Sequence, residues 1–159
     1  QRARVAGINR EVNRAVRYIS DSVQHGVADR WSSPLATLDS GRGDCEDYAI
    51  LKYALLREAG MPEADLKLLL VKDHVARQDH AVLAVRLEGR WLVLDNRWDA
   101  LVESRELRRF MPLFALGGDG VELFATPYAA RALDEDDSMV EPAAHEPERT
   151  GLRPAPPFI

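Results

Sequence analysis

The chain has 159 residues, 46% of them apolar, and a formal charge of −5. That length suits one domain with a real core, the negative balance argues against nucleic acid as a partner, and no apolar run is long enough to span a membrane. A single cysteine cannot form an internal disulfide. It is either a buried small hydrophobe, the commoner case on composition, or a reactive thiol.

Val5, Ile8, Val12, Ala15, Val16, Ile19 and Val23 recur at helical spacing. They predict one amphipathic helix that stops near Gly26, with Arg2, Arg10, Arg14 and Arg17 mostly on its solvated side. The stretch "DRWSSPLATLDSGRG" reads as loop. A second helix is expected after Gly43, with Ala49, Ile50, Tyr53, Ala54 and Leu55 as its apolar positions and Gly60-Met61-Pro62 as its stop. The period then changes. Residues 66–72, 80–87 and 90–96 are short, rich in branched side chains and predict strands. The middle one is apolar on both faces, so the sheet is expected to be covered by helices. "ELRRF" suggests a short helix, and "PLFALGGDGVELFA" a hairpin turning at residues 117–120. From Asp134 the text turns to acids and holds five of the nine prolines. The expected domain is residues 1–133, with 134–159 an acidic, proline-rich tail outside the core.

The cysteine lies in "GRGDCEDYA". Asp44 and Glu46 flank it and Asp47 follows, although a carboxylate raises the pKa of a neighbouring thiol. If the second helix starts at Asp44, that residue is the N-cap and Asp47 takes the capping-box position. Cys45 is then the first helical residue, where unpaired amides and the helix dipole favour thiolate. A cation held by the acids would reverse the remaining repulsion. Two readings stay open on these residues: a thiolate beside an oxygen-ligand cation site, or a capped helix with a buried cysteine.

A thiolate nucleophile needs a base, and the base an orienting partner. His25 ends the first helix, His145 lies in the acidic tail, His74 in a polar connection, and His80 opens an apolar strand. With Glu88-Gly89 as the hairpin turn, Val82 lies opposite Asp95 and His80 is its diagonal neighbour. Diagonal positions are about 7–8 Å apart, within reach of an imidazole and a carboxylate. Asp95 ends the apolar run "WLVLD", where a carboxylate needs a partner.

"GRGDCEDYAILKYALLREAGMP" resembles the nucleophile helix of the transglutaminase-like cysteine proteins, whose catalytic order is Cys, His, Asp. "RWSSP" resembles the W-x-x-P segment of the bacterial transglutaminase-like cysteine peptidases. "DCEDYAILKY" is similar to their nucleophile motif, "LDN" to the segment carrying the third triad member, and "GGDG" to a late family element. The family includes the LapG-type periplasmic proteases, which release surface adhesins. The resemblance implies an α+β, papain-like fold with the cysteine helix packed on an antiparallel sheet. It implies Cys45 as nucleophile, His80 as general base and acid, and Asp95 as the orienting carboxylate. It implies a calcium ion held by Asp44 and Glu46 with Asp47 as a third ligand, a protein substrate such as a surface adhesin, an inhibitory membrane receptor, and a periplasmic location. The amide of Cys45 is one expected oxyanion donor, with a second from the loop around Trp31, itself either lid or core.

The chain departs from the family in reading "WSSP" for the usual "WATP", in carrying His74 six residues before His80, and in its acidic tail. These departures bear on substrate identity, which lives in loops. Rival readings are a transglutaminase or amide acyltransferase with an amine acceptor, a non-catalytic calcium- or partner-binding module with an idle cysteine, and a structural domain with Cys45 as filler.

Overall fold

The computed structural model describes residues 1–104 and 107–124. The helices are α1 (Arg2–Ala15), α2 (Asp21–Gln24), α3 (Pro34–Ser40) and α4 (Cys45–Glu58). The strands are β1 (Arg17–Tyr18), β2 (Arg42–Gly43), β3 (Leu66–Asp73), β4 (Gln78–Leu87), β5 (Arg90–Leu94), β6 (Val102–Glu103), β7 (Phe110–Gly117) and β8 (Gly120–Leu123). Six of them form one antiparallel sheet in the order β6-β5-β4-β3-β7-β8. The fold is α+β.

Strand alternation sorts the sheet's side chains into two layers. Leu66, Leu68, Leu83, Val85, Leu87, Leu92 and Leu94 pack with Val5 of α1 and with Ala49 and Leu56 of α4. Leu69, Val71, Val82, Ala84 and Val93 form the other layer with Trp91, Leu107, Phe110 and Ala115. Among the described residues helices cover one face. The second is closed by Trp91, Trp98, Val102, Leu107 and Phe110, which explains why β4 is apolar on both sides.

The β4–β5 hairpin turns at Glu88-Gly89 as expected. Leu87 pairs with Arg90, and both turn residues have positive φ, 52° and 78°, as a two-residue turn matching the strand twist requires. The late hairpin also forms, with Gly117 paired to Gly120. The helix expected in "ELRRF" falls partly on residues outside those described. Its described part is a turn, from which β7 starts at Phe110.

Two expectations at the N-terminal end are corrected. The first helix does not continue to Val23: it ends at Ala15, and Arg17–Tyr18 pair in parallel with Arg42–Gly43. The amides of Arg17 and Ile19 donate to the carbonyls of Gly41 and Gly43 at 2.9 and 3.0 Å. That pairing competes successfully with helical continuation, while Val16 still reaches a core with Val12, Tyr48 and Leu51. The apolar period outlasts the helix for this reason. The supposed loop after Trp31 contains α3. Ser33 caps it by accepting from the Ala36 amide at 3.2 Å, Pro34 is in its first turn, and Gly41 ends it at φ 61°. Leu35 and Leu38 are exposed, so no apolar stripe announces this helix.

Candidate active site

Cys45 is the first residue of α4 and Asp44 its N-cap, but the Asp44 side chain makes no capping hydrogen bond. Its carboxyl turns to Glu46 and to the Asp21 amide instead. Asp47 does the bridging: its Oδ1 accepts from the Ser32 amide at 2.7 Å, and the Asp44 amide also supports it, the reciprocal half of a capping box. A Cβ on Gly43 would lie 2.6 Å from the Cβ of Asp47, so the residue before the cap must be small. The Ser32 amide, spent on Asp47, is not available as an oxyanion donor. Trp31 is half-buried and packs against the core under α4.

The β1–β2 pairing brings Asp21 to this helix start. Asp21, Asp44 and Asp47 are all buried, and each offers an oxygen within 4.8 Å of the others. Glu46 falls in a second group with Asp21 and Asp29. Oδ1 of Asp44 and Oδ2 of Asp47 are buried without a hydrogen-bond partner among the described residues. Burial is the main cause that pushes Asp44 up to about 6, Glu46 up to about 8, and Asp47 in the same direction. Clustered buried carboxylates with orphaned oxygens form a set that a hard cation would satisfy. The residues therefore fit calcium, with Asp21 as a member that sequence reading missed. Taken as a point on a helix surface, Asp21 carries no signal. Only the end of α1 reveals it.

The Cys45 thiol donates to Oε2 of Glu46 at 3.0 Å. Burial, then the charge of Glu46 and this hydrogen bond, push its pKa well above the ordinary thiol value, while the Ala81 amide pulls the other way. That amide belongs to the residue after His80. His80 and Asp95 are buried side chains, and Nε2 of His80 lies 3.0 Å from Oδ2 of Asp95. The register Leu83↔Leu94 sets Val82 against Asp95 and makes His80 the diagonal neighbour. Phe110 lies against the imidazole, ring centroids 5.8 Å apart. With Nε2 engaged by Asp95, Nδ1 is the nitrogen left for other proton transfers.

Residues 1–107 match the sequence model of the bacterial transglutaminase-like cysteine proteinases. The chain belongs to this family. It is accordingly a transglutaminase-like cysteine protease, and solved structures agree on the fold. Legionella pneumophila LapG is 26% identical with a TM-score of 0.69, over 79% of this chain and 70% of LapG. Calcium-bound LapG gives 25% and 0.70 over 84% and 71%. EGTA-treated LapG gives 27% and 0.69 over 78% and 67%. No curated protein matches the chain in sequence.

In this transglutaminase-like protease Asp95 is braced from several sides, and none of the braces was foreseen. Arg97 reaches it with its amide, Nε and NH2. Asn13 of α1 donates to the Asp95 carbonyl at 3.1 Å, and Asn9 holds the carbonyls of Trp98 and Asp99. Lys52 of α4 is fully buried without a hydrogen-bond partner for Nζ among the described residues. Burial lowers it to about 7, against the pull of Asp95 and Asp99. The asparagines were hidden in a helix read for its apolar stripe, and Arg97 in a stretch read only as "LDN". His25 and His74 stay partly or fully exposed, away from buried partners of this kind. His145 lies outside the described residues.

Proposed function

We propose that this protease cleaves protein substrates with Cys45 as nucleophile, His80 as general base and acid, and Asp95 as the carboxylate that orients the imidazole. The observation that carries this reading is the hydrogen bond of 3.0 Å between His80 and Asp95, with the thiol against the amide of the next residue, Ala81. The Cys45 proton passes to His80 as sulfur attacks the carbonyl carbon of the scissile amide. His80 returns that proton to the amine nitrogen as the C–N bond breaks, leaving a thioester. Water, giving a proton to His80, then cleaves the thioester and restores the thiol. The Cys45 amide, in the unpaired first turn of α4, is one donor to the oxyanion.

Asp44, Glu46 and Asp47, with Asp21, are read as the carboxylates that hold calcium. The burial and mutual proximity of Asp21, Asp44 and Asp47 and the orphaned oxygens of Asp44 and Asp47 support this, with Glu46 half-buried and grouped with Asp21 and Asp29, as does the calcium-bound structure of the relative LapG. Bound calcium would supply the positive charge that keeps these carboxylates ionised. Carbonyls and water would have to complete the six to eight oxygens it requires. Glu46 as a ligand would no longer hold the thiol proton, and the first-turn amides of α4 would then favour thiolate.

The substrate is read as a surface adhesin cleaved in the periplasm, with an inhibitory membrane receptor as a second partner. Support for this finer reading is the likeness to LapG-type members. No helix among the described residues is long and apolar enough to cross a membrane. The test is a comparison of new protein N-termini in cells carrying wild type or Cys45→Ala. Wild type alone should generate N-termini within a surface protein. Cys45-dependent incorporation of an added amine instead of cleavage would move the reaction to acyl transfer. No difference between the strains would overturn the reading.

A further inference from the structure

Asp95 has two oxygens, and the structure accounts for both. Oδ1 accepts from the Arg97 amide at 2.9 Å and from Nε at 3.1 Å. Oδ2 accepts from NH2 of Arg97 at 2.8 Å and faces Nε2 of His80 at 3.0 Å. The guanidinium therefore contacts both oxygens of the carboxylate, sharing Oδ2 with the imidazole, and fixes its plane. Arg97 is itself pinned. Its NH1 donates to Oδ2 of Asp73 at 2.7 Å. Asp73, at the end of β3, is fully buried and holds Arg109 at 2.6 Å and the amides of Val75 and Ala76 at 2.9 Å each. Burial alone would raise Asp73, but these donors hold it well below the usual carboxylate range. The guanidinium of Arg97 also lies 5.0 Å from the Trp98 ring centroid and 5.4 Å from that of Phe110, the ring beside His80.

We infer that Arg97 is a positioning residue: locked by Asp73, it holds the Asp95 carboxylate in the one orientation that fixes His80 with Nε2 toward Asp95 and Nδ1 free. The inference rests on the triad reading above and extends it outward by one layer. A carboxylate held only by the imidazole could rotate about its last bond, and the imidazole would follow it. A rigid fork on both oxygens removes that freedom, and a bidentate guanidinium suits the task better than an ammonium point charge. The sequence Asp95, Arg97, Asp73, Arg109 alternates in charge, so each buried carboxylate is compensated without a proton.

The test uses full-length protein in calcium-containing buffer, with iodoacetamide as the probe of Cys45 and 15N-labelled histidine to read the His80 tautomer. Wild type should show His80 as the Nε2–H form. Arg97→Ala should populate both tautomers and react with iodoacetamide about ten- to a hundredfold more slowly, the scale of losing an outer partner behind a metal-bound histidine. Millimolar guanidinium should restore part of that rate, since the Arg97 side chain is 27% exposed and the site is reachable. A merely structural role would not respond in this way. Arg97→Lys keeps the charge without the fork, covers the case in which the alanine variant fails to fold, and should fall between. Adding Arg97→Ala to Asp95→Asn should cost nothing more. If wild type and His80→Ala alkylate at the same rate, the triad reading itself fails. If His80→Ala is slow while both Arg97 variants keep the wild-type rate and tautomer, or if the double variant is additive, the Arg97 inference is overturned and the triad stands.

Discussion

Cys45 occupies surroundings that suppress it. Burial and the Glu46 carboxyl keep the thiol protonated, and Asp44 and Glu46 are themselves pushed up, chiefly by burial. Both conditions are relieved together if the acids hold calcium. Calorimetric titration should therefore show calcium binding to wild type, strongly weakened in Glu46→Ala and in Asp21→Asn. Calcium should also raise the melting temperature of wild type, because it binds the folded state preferentially. Unchanged binding in Asp21→Asn would remove that residue from the ligand set. Asp95 gives a second prediction. Burial pushes it up, yet hydrogen bonds from His80 and Arg97 outweigh burial and hold it at about 2, against 3.8 ordinarily. A folded-state pKa below the unfolded one stabilises the fold above the unfolded value, and that stability is lost as pH falls toward the folded value. The loss is about 2 kcal/mol between roughly pH 4 and pH 2. The urea midpoint of wild type should thus fall more steeply over that range than that of Asp95→Asn. Parallel curves would contradict the assignment of the carboxylate's charge.

α4 joins these residues to the core, and it was the element most legible in the sequence. Its start at Cys45 and its end before Gly60 follow from the capping pattern and from Gly-Met-Pro, but of the apolar positions expected on it only Ala49 is fully buried: Tyr48, Leu51 and Leu56 carry the core contacts, and Ile50, Tyr53, Ala54 and Leu55 are half-buried. The β4–β5 hairpin was legible as well, from Glu88-Gly89 between two apolar runs, although Glu-Gly is not a preferred two-residue turn and β4, apolar on both faces, does not by itself exclude a one-residue slip. The observed register makes His80 and Asp95 neighbours. What stayed hidden depended on long-range pairing. The end of α1 is set by backbone bonds to residues 41–43, and periodicity carries no trace of them. Asp21 was hidden with it. Arg97, Asp73 and Arg109 look like ordinary surface charges until the sheet brings β3, the end of β5 and the start of β7 together. Lys52 illustrates the same limit: on α4 it sits at a buried position that no pattern marks as special. Its folded pKa of about 7 lies below its ordinary 10.5. Below about pH 7 the buried ammonium is penalised in full, and the penalty fades as pH rises toward 10. Lys52→Met should be more stable than wild type at pH 6, by about 1–4 kcal/mol, with the gap narrowing at pH 9. A gap that does not change with pH would mean that Lys52 stays charged in the fold.

At the scale of the whole molecule, a helix layer and an aromatic layer enclose one antiparallel sheet, and the proposed triad draws on both. Cys45 comes from the helix side, while His80 and Asp95 share strand parity with Val82 and Val93 on the aromatic side. The family match ends at residue 107, and the acidic stretch begins later, at Asp134. Seven acids and five prolines among residues 134–159 offer little to a core, so a chain ending at Leu133 should melt at about the same temperature as the full one. A large drop would assign the tail a packing role. The account's central claim is that His80, held by Asp95, activates Cys45. Its most direct test is the second-order rate of Cys45 alkylation by iodoacetamide at pH 7 with calcium present, in wild type and in folded His80→Ala. The account predicts a rate about a hundredfold lower in the variant, the low end of what a positioned base contributes. Equal rates would contradict it and leave Cys45 a thiol without a partner.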